Sequence, residues 1–199
     1  MVTQPQLAAP GKGLPPVERW VASQMVFWSS RWTTEAQSTT IFQQEHDNVL
    51  ALVYSLPTDW QRAPILIKRL PGLEDSSRYW SALMVLAHLN IVNWGTLENI
   101  RQLEQGRLPE HPVRIEDVKP DQAADAEVVA SFEAACQTYV SGIHALEGLQ
   151  SPLTHPHPWF GPMTSSDWHF MMGFHMRLHR KQLAAIVHGC QAQGAVLRG

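Results

Sequence analysis

The C-terminal part of the chain carries one long helical pattern, and this pattern restricts the possible folds more than any other feature. Between Thr164 and about Gln193, apolar side chains recur every three or four residues, which places them on one face of a helix. A helix of this kind must bury its apolar face against other elements. The face contains, in order, Trp168, Met171, Met172, His175, His179, Leu183 and Ile186.

Other segments show the same spacing. The sequence predicts a first amphipathic helix over 15–33, with Trp20, Met25, Phe27 and Trp28, and a second helix over 38–56. A third helix is expected from the capping cluster Asp75-Ser76-Ser77 to Gln105-Gly106, and a fourth over 123–148. No segment alternates as a strand does. The short run Ile65-Leu66-Ile67 is strand-like, but no pairing partner is evident for it.

These segments predict an all-α fold in which four long helices form a bundle, with an extra N-terminal helix. Residues 1–14, which contain prolines and glycines without periodicity, are expected to be a disordered tail, and 15–199 a single helical-bundle domain. The connections 57–74 and 106–122 both contain several prolines. A seventeen-residue connection spans up to roughly 55 Å, so either one is long enough to cross the bundle.

Composition excludes several classes of function. The net charge is -3 and only 17% of residues are charged, so no basic surface for nucleic acid is expected. The two cysteines, Cys136 and Cys190, do not form a C-x-x-C motif, which favours a reducing compartment. The sequence shows neither a signal-peptide pattern nor an apolar run long enough to cross a bilayer. A cytoplasmic protein without membrane contact is therefore expected.

The pair His175 and His179 is the strongest indication of chemistry. Residues four apart lie one above the other on a helix, so both imidazoles can bind one metal ion. Two buried histidines that hydrogen-bond to their neighbours would fit the pair equally well. Met176 excludes the H-E-x-x-H motif of zincins, and no glutamate precedes a histidine by three residues, as di-iron bundles require.

His88 is the candidate for a third ligand. It interrupts the apolar face of the third predicted helix, between Met84 and Ile91. A satisfied core histidine is the alternative. Three neutral imidazoles would leave coordination positions open, which is typical of a catalytic rather than a structural metal site. The sequence therefore predicts a metal site formed by His88, His175 and His179.

The arrangement of these motifs resembles the DinB-like superfamily. One histidine lies in an early bundle helix, and the stretch His157-Pro-Trp-Phe-Gly-Pro-Met-Thr164 precedes Asp167-Trp168, His175, His179 and Gln182-Leu183. The resemblance implies an up-down-down-up bundle in which 106–122 is the crossover. It further implies a divalent metal, zinc or nickel, and frequently a homodimer. Relatives include bacillithiol and mycothiol S-transferases, a mycothiol-dependent isomerase and hydrolases.

Other residues are weaker candidates. His46, Trp80, Trp168 and Met172 are candidate pocket residues, although a core position explains each of them as well. His155 and His157 alternate with prolines, and a solvated turn is favoured for them over the mouth of the site. His169 and His188 lie off the face of His175 and His179 and are left out.

Two classes of function remain. The first is a metal-dependent enzyme acting on a small molecule, either an S-transferase with a low-molecular-weight thiol as cosubstrate or a hydrolase. The second is a non-catalytic metal-binding or dimerisation bundle with a stress-related role. The sequence indicates neither the substrate nor the general base.

Overall fold

The computed structural model describes residues 5–196, and this part of the chain is mostly helical. It contains the helices α1 (Pro16–Trp32), α2 (Glu35–Tyr54), α3 (Thr58–Gln61), α4 (Ala82–Glu104), α5 (Glu127–His144) and α6 (Ser165–Val196). It also contains the strands β1 (Ile65–Leu66), β2 (Tyr79–Trp80), β3 (His155–His157) and β4 (Gly161–Met163). The predicted all-α class is confirmed.

The helices α2 and α6 run in the same direction, and α4 runs opposite to both. Near the starts of α2 and α6, His169 Nε2 lies 3.3 Å from the carbonyl oxygen of Glu35. Further along both helices, Glu45 forms an ion pair with Arg177, so α2 and α6 are parallel. By contrast, Ser165 at the start of α6 donates a hydrogen bond to Glu104 at the end of α4. The helices α4 and α6 are therefore antiparallel.

The helices α4 and α5 are parallel, although they follow each other in the chain. Asn93 donates to the sulfur of Cys136, and further along both helices Leu97 lies against Gly142. The connection must therefore return along α4, whose 23 residues are about 35 Å long. Residues 105–126, called the crossover below, make this return and contain a 3₁₀ turn at Glu116–Val118. The up-down-down-up bundle and the crossover predicted at 106–122 are confirmed.

One apolar core lies between the four bundle helices. Its side chains recur at three- and four-residue intervals, and burying each large one contributes about 1.5–3 kcal/mol. The fully buried members include Phe42, Val49, Leu86, Leu89, Leu97, Ile100, Phe132, Tyr139, Ile143, Met172, Leu183 and Ile186.

Capping residues decide where the helices begin. Thr34 and Gln37 form a reciprocal capping box, so α2 begins at Glu35, before the predicted start at residue 38. The side chain of Ser81 caps α4 by accepting from the backbone N–H of Met84. The cluster Asp75–Ser77, predicted to cap this helix, forms a 3₁₀ turn instead. At α6 the predicted cap is correct, since Asp167 accepts from the backbone N–H of Thr164.

The apolar run at residues 65–67 has a partner that its sequence did not reveal. Ile65 is paired with Trp80 and Leu66 with Tyr79 in an antiparallel arrangement. The pairing joins two parts of the connection between α2 and α4. It also holds Trp80 directly before α4, where the sequence predicts helix. Local periodicity could not reveal it, because two residues on each side are too few to show alternation.

The helix α1 packs against α6 outside the four-helix bundle. Its predicted limits are correct to within a residue, but its large apolar side chains Trp20, Met25, Phe27 and Trp28 are exposed. The predicted tail begins with residues 1–4, which lie outside the described residues, as do 197–199 at the end of the predicted domain. Residues 5–14 are irregular, and Leu14 is buried.

Across residues 5–196, no helix combines the length and the apolar character that crossing a bilayer would require.

Close packing of α6 on α2 requires Gly173. A Cβ at this position would lie 2.8 Å from Cγ2 of Ile41, a β-branched side chain that cannot easily turn aside. We expect Gly173→Ala to lower the free energy of unfolding by about 1–2 kcal/mol, because overpacking outweighs the gain in helix propensity. Gly95→Ala is the matched control, since a Cβ there meets nothing within 4 Å. It should raise stability by about 0.5–1 kcal/mol in urea denaturation. Equal effects of the two changes would contradict this account.

Candidate metal centre

Three histidines converge where α4 packs against α6. His88 lies on α4, and His175 and His179 lie one turn apart on α6. The Nε2 atom of His175 is 3.2 Å from Nε2 of His88 and 3.1 Å from Nε2 of His179. One nitrogen from each ring lies within 4.8 Å of the others. The structure therefore brings together the three residues that the sequence selects as metal ligands.

Hydrogen bonds on the far side of the rings fix two of the three tautomers. Nδ1 of His88 lies 2.6 Å from the carbonyl oxygen of Val118, which can only accept, so Nδ1 carries the proton. The amide nitrogen of Gln182 donates to the carbonyl of Ser77, so its oxygen accepts from Nδ1 of His179. The Nε2 atoms of His88 and His179 are left as lone pairs that face His175. Partners of this kind orient metal-ligating histidines in other proteins.

Burial keeps the three rings neutral. It lowers the pKa of His88 to about 4, and the charge of Lys119 acts in the same direction. Burial also lowers the pKa of His175 and of His179 well below the usual range, and the neighbouring histidines add to this effect. At neutral pH the cluster therefore offers uncharged imidazoles, which is the form that binds metal.

The donor set fits a divalent cation. Two lone pairs point towards the third Nε2, and a single proton on that atom can satisfy only one of them at a time. Imidazole nitrogens bound at 2.0–2.1 Å to one tetrahedral ion are about 3.3 Å apart, close to the separations found here. Imidazole ligands suit zinc, nickel, copper and iron. His88, His175 and His179 would hold such an ion and leave further coordination positions open.

A cavity of about 330 Å³ adjoins the histidine cluster. Its walls come from α4, α6, the crossover and the turn between β3 and β4, while Leu14 and Ala22 contribute from the N-terminal part. The lining is mainly apolar and includes the side chains of Val92, Val113, Trp159, Phe160, Trp168 and Phe174. A cavity of this size and character is typical of small-molecule sites.

The four candidate pocket residues have different positions. Trp168 lines the cavity, and Trp80 stacks on His179 with ring centroids 6.1 Å apart. Met172 is fully buried, and within the described chain it is not among the residues that line this cavity. His46 lies on α2, where its ring packs 5.5 Å from that of Phe132. The structure thus brings Trp80 and Trp168 to the site, whereas His46 and Met172 neither belong to the histidine cluster nor line the cavity.

The solvated turn favoured for His155 and His157 is wrong. His155 is buried, and its carbonyl oxygen accepts from the indole N–H of Trp168. His157 stacks on Phe160, with centroids 4.4 Å apart, and lines the cavity. Proline alternation indicated a non-helical segment correctly. It did not reveal that this segment folds back as β3 and β4 onto the start of α6.

His169, which the sequence excluded from the site, has a structural role. Its Nδ1 is 2.9 Å from the hydroxyl of Tyr139, and its Nε2 is 3.0 Å from that of Thr39. Burial lowers its pKa to about 4. The ring therefore joins α2, α5 and α6 as a neutral hydrogen-bonding core residue.

An ion pair between the buried Glu74 and the half-buried Lys119 holds the crossover beside the cluster. Nζ of Lys119 lies 2.9 Å from Glu74, and it also donates to the hydroxyls of Ser76 and Ser77. Burial alone would raise the pKa of Glu74, but hydrogen bonds from Ser76 and Lys119 lower it below the usual range. Lys119 was missed as a site residue, because its role depends on the path of a connection that shows no periodic pattern. Gln182 was missed as well, although it lies three residues after His179 on α6, a spacing that helical geometry places on one face.

Comparison with known proteins gives a family and a fold. Residues 41–183 match the family described as the DinB superfamily. The crystal structure of TT2238, a four-helix bundle protein, is 24% identical in sequence and superimposes with a TM-score of 0.57. The alignment covers 76% of this chain and 99% of that one, and at this identity it shows the fold alone. No curated protein matches the chain.

Metal uptake tests the cluster directly. We expect untagged protein to bind about one zinc or nickel ion per chain, and His175→Ala to abolish this binding because two imidazoles remain. Gln182→Leu should weaken binding about 10- to 100-fold, since Nδ1 of His179 loses its acceptor. His46→Ala is the control and should bind as the wild type does. Metal content and titration calorimetry provide the measurements, and unchanged uptake by His175→Ala would contradict the assignment.

Proposed function

The chain belongs to the DinB superfamily, and from this membership we propose that it is a metal-dependent enzyme acting on a small molecule. The observation that carries the proposal is the position of the three Nε2 atoms at the wall of an apolar cavity. A buried metal-storage site would not require such a cavity. The reaction we infer is the transfer of a low-molecular-weight thiol to an electrophile, or the hydrolysis of a small substrate.

A thiol nucleophile has to come from outside the chain. Cys136 and Cys190 are the two cysteines of the sequence, and both are buried in the free form. Burial raises the pKa of the Cys136 thiol to about 12, and it raises that of Cys190 as well. Neither thiol is therefore a reactive thiolate at neutral pH. A thiol cosubstrate or water remains as the nucleophile.

A divalent ion on three neutral imidazoles would lower the pKa of a bound thiol or water. The chain itself provides the surroundings of this chemistry. Trp168, Phe160 and Phe174 form an apolar wall that can accommodate the apolar part of a substrate. Beside such a wall, electrostatic interactions with fixed donors are stronger than they are in water.

We further assign His157 as a hydrogen-bond donor in this cavity. Its Nδ1 accepts from the backbone N–H of Trp159 at 3.1 Å, so Nε2 carries the proton of the neutral ring. Burial lowers the pKa of His157 to about 3, so this state holds throughout the physiological range. The ring is fixed by stacking on Phe160 and by contact with Trp168. A neutral N–H in this position suits an oxygen of the substrate on which negative charge develops.

The proposed activity is tested with metal-loaded, untagged protein. We expect either conjugation of an aryl halide with one of a panel of low-molecular-weight thiols, or cleavage of an aryl ester without thiol. His175→Ala should lose the activity, and His46→Ala should keep it. Absorbance assays with zinc and with nickel distinguish the two reactions. Stoichiometric metal without turnover of any substrate would instead favour the non-catalytic metal-binding bundle.

Substitutions at His157 separate its two nitrogens. Asparagine keeps an acceptor for the N–H of Trp159, whereas glutamine keeps a donor near the position of Nε2. We expect His157→Asn and His157→Phe to lower kcat/KM about 100-fold without loss of metal, and His157→Gln to retain more activity. Because the imidazole is neutral above about pH 4, the loss should be constant from pH 5 to 8. Full activity of His157→Asn would show that His157 acts only by accepting the N–H of Trp159 in the turn, and not as a donor to the substrate.

A further inference from the structure

The helix α1 presents its large apolar side chains to solvent. Seven of them are between 45% and 83% exposed, and helical spacing places them on the side of α1 opposite its buried residues Val26 and Ser30. We call this surface the outer face of α1. It consists of Val17, Trp20, Val21, Met25, Phe27, Trp28 and Trp32. Soluble proteins rarely expose so many large apolar side chains together unless something covers them.

Polar contacts fix α1 in this orientation. Glu18 in its first turn forms an ion pair with Arg69 at 2.6 Å, and Ser30 near its end donates to Asp167, also at 2.6 Å. Both Glu18 and Ser30 lie on the side of the helix that faces the rest of the chain. Rotating α1 to bury its aromatic side chains would break both contacts. The outer face is therefore a fixed surface of the folded chain.

The inner face of α1 explains why the apolar residues are left outside. Apart from Glu18 at its edge, it consists of small side chains and one valine, namely Ala22, Ser23, Val26, Ser29 and Ser30. Small residues allow α1 to lie close against the bundle. Binding to the bundle thus uses the small residues and leaves the aromatic ones without a partner.

The exposed area matches what a stable dimer requires. A whole aromatic side chain has an area of 150–250 Å², so the four rings at these exposures present roughly 500 Å². The two valines and the methionine raise this to about 700 Å². Pairing that covers the whole outer face on both copies would bury up to about 1,400 Å² in total, which lies within the range of stable protein interfaces. Typical monomers have no exposed apolar patch larger than about 300–600 Å².

We propose that the outer face of α1 is a self-association surface, on which α1 of a second copy of this chain packs across a two-fold axis. An uncharged stripe along it, formed by Val17, Val21, Met25, Trp28 and Trp32, repeats at intervals of three and four residues. This is the spacing with which two helices pack against each other. Isologous pairing covers both exposed faces with one contact. The helix lies outside the family match at 41–183, so the surface is an addition to the family's bundle.

The oligomeric state of the full chain tests the proposal, and it does not depend on the proposed activity. At about 10 µM, light scattering after gel filtration should give twice the chain mass of 22.4 kDa. The double variant Val21→Arg/Trp28→Arg should be monomeric, with the dissociation constant raised at least about 100-fold, because it buries unpaired charges. Trp94→Arg is the matched control, since Trp94 on α4 is 49% exposed, and it should remain dimeric. Unchanged circular dichroism verifies folding.

Cross-linking locates the contact. Cys136 and Cys190 are buried, so a cysteine introduced on α1 is the reactive one. Among Val21→Cys, Gln24→Cys and Trp28→Cys, at least one should form a disulfide-linked dimer on mild oxidation, whereas Trp94→Cys should not. A monomeric wild type at 100 µM would overturn the proposal, and so would a dimer that persists in the double variant. Binding of a monomer to phosphatidylcholine vesicles through the same residues would overturn it in favour of a membrane surface.

Discussion

His88 approaches His175 and His179 only because α4 packs antiparallel against α6. Each residue along a helix turns the side chain by about 100°, so a shift of α4 by one residue would direct His88 away from α6. The apolar side chains that bury α4 and α6 against each other therefore set the distances between imidazoles. The cavity depends on the same pair of helices, since both provide its walls. A change in this core would alter the site without touching a histidine.

The parts of the fold that follow helical periodicity could be predicted from the sequence. This holds for the bundle helices, and for His175 and His179, because spacing alone puts them on one face. His88 needed the further argument that a metal requires a third ligand. Val118 and Lys119 could not be found, because their positions depend on the path of an irregular connection across the bundle. Periodicity also cannot tell which face of a helix packs inward, as α1 shows.

Charge is distributed unevenly around the site. The histidines are neutral, whereas Glu74 and Lys119 form an ion pair beside them. The ammonium group of Lys119 contacts three oxygens there, one each from Glu74, Ser76 and Ser77. Buried ion pairs contribute little net stability, because desolvation offsets their attraction. This ion pair instead fixes a position: Lys119 follows Val118 directly, so anchoring Lys119 also holds the carbonyl that orients His88. The backbone N–H of Gly13 also donates to Glu74, which adds the N-terminal segment to the same network.

The crossover has a consequence for how the sequence can change over time. Surface connections normally accept insertions and deletions, since their backbone makes few specific contacts. Between His111 and Lys119, however, the crossover lines the cavity, orients His88 and completes an ion pair. An inserted residue in this stretch would displace all three functions together. Insertions and deletions should therefore be confined to the flanks of the crossover, at 105–110 and 120–126.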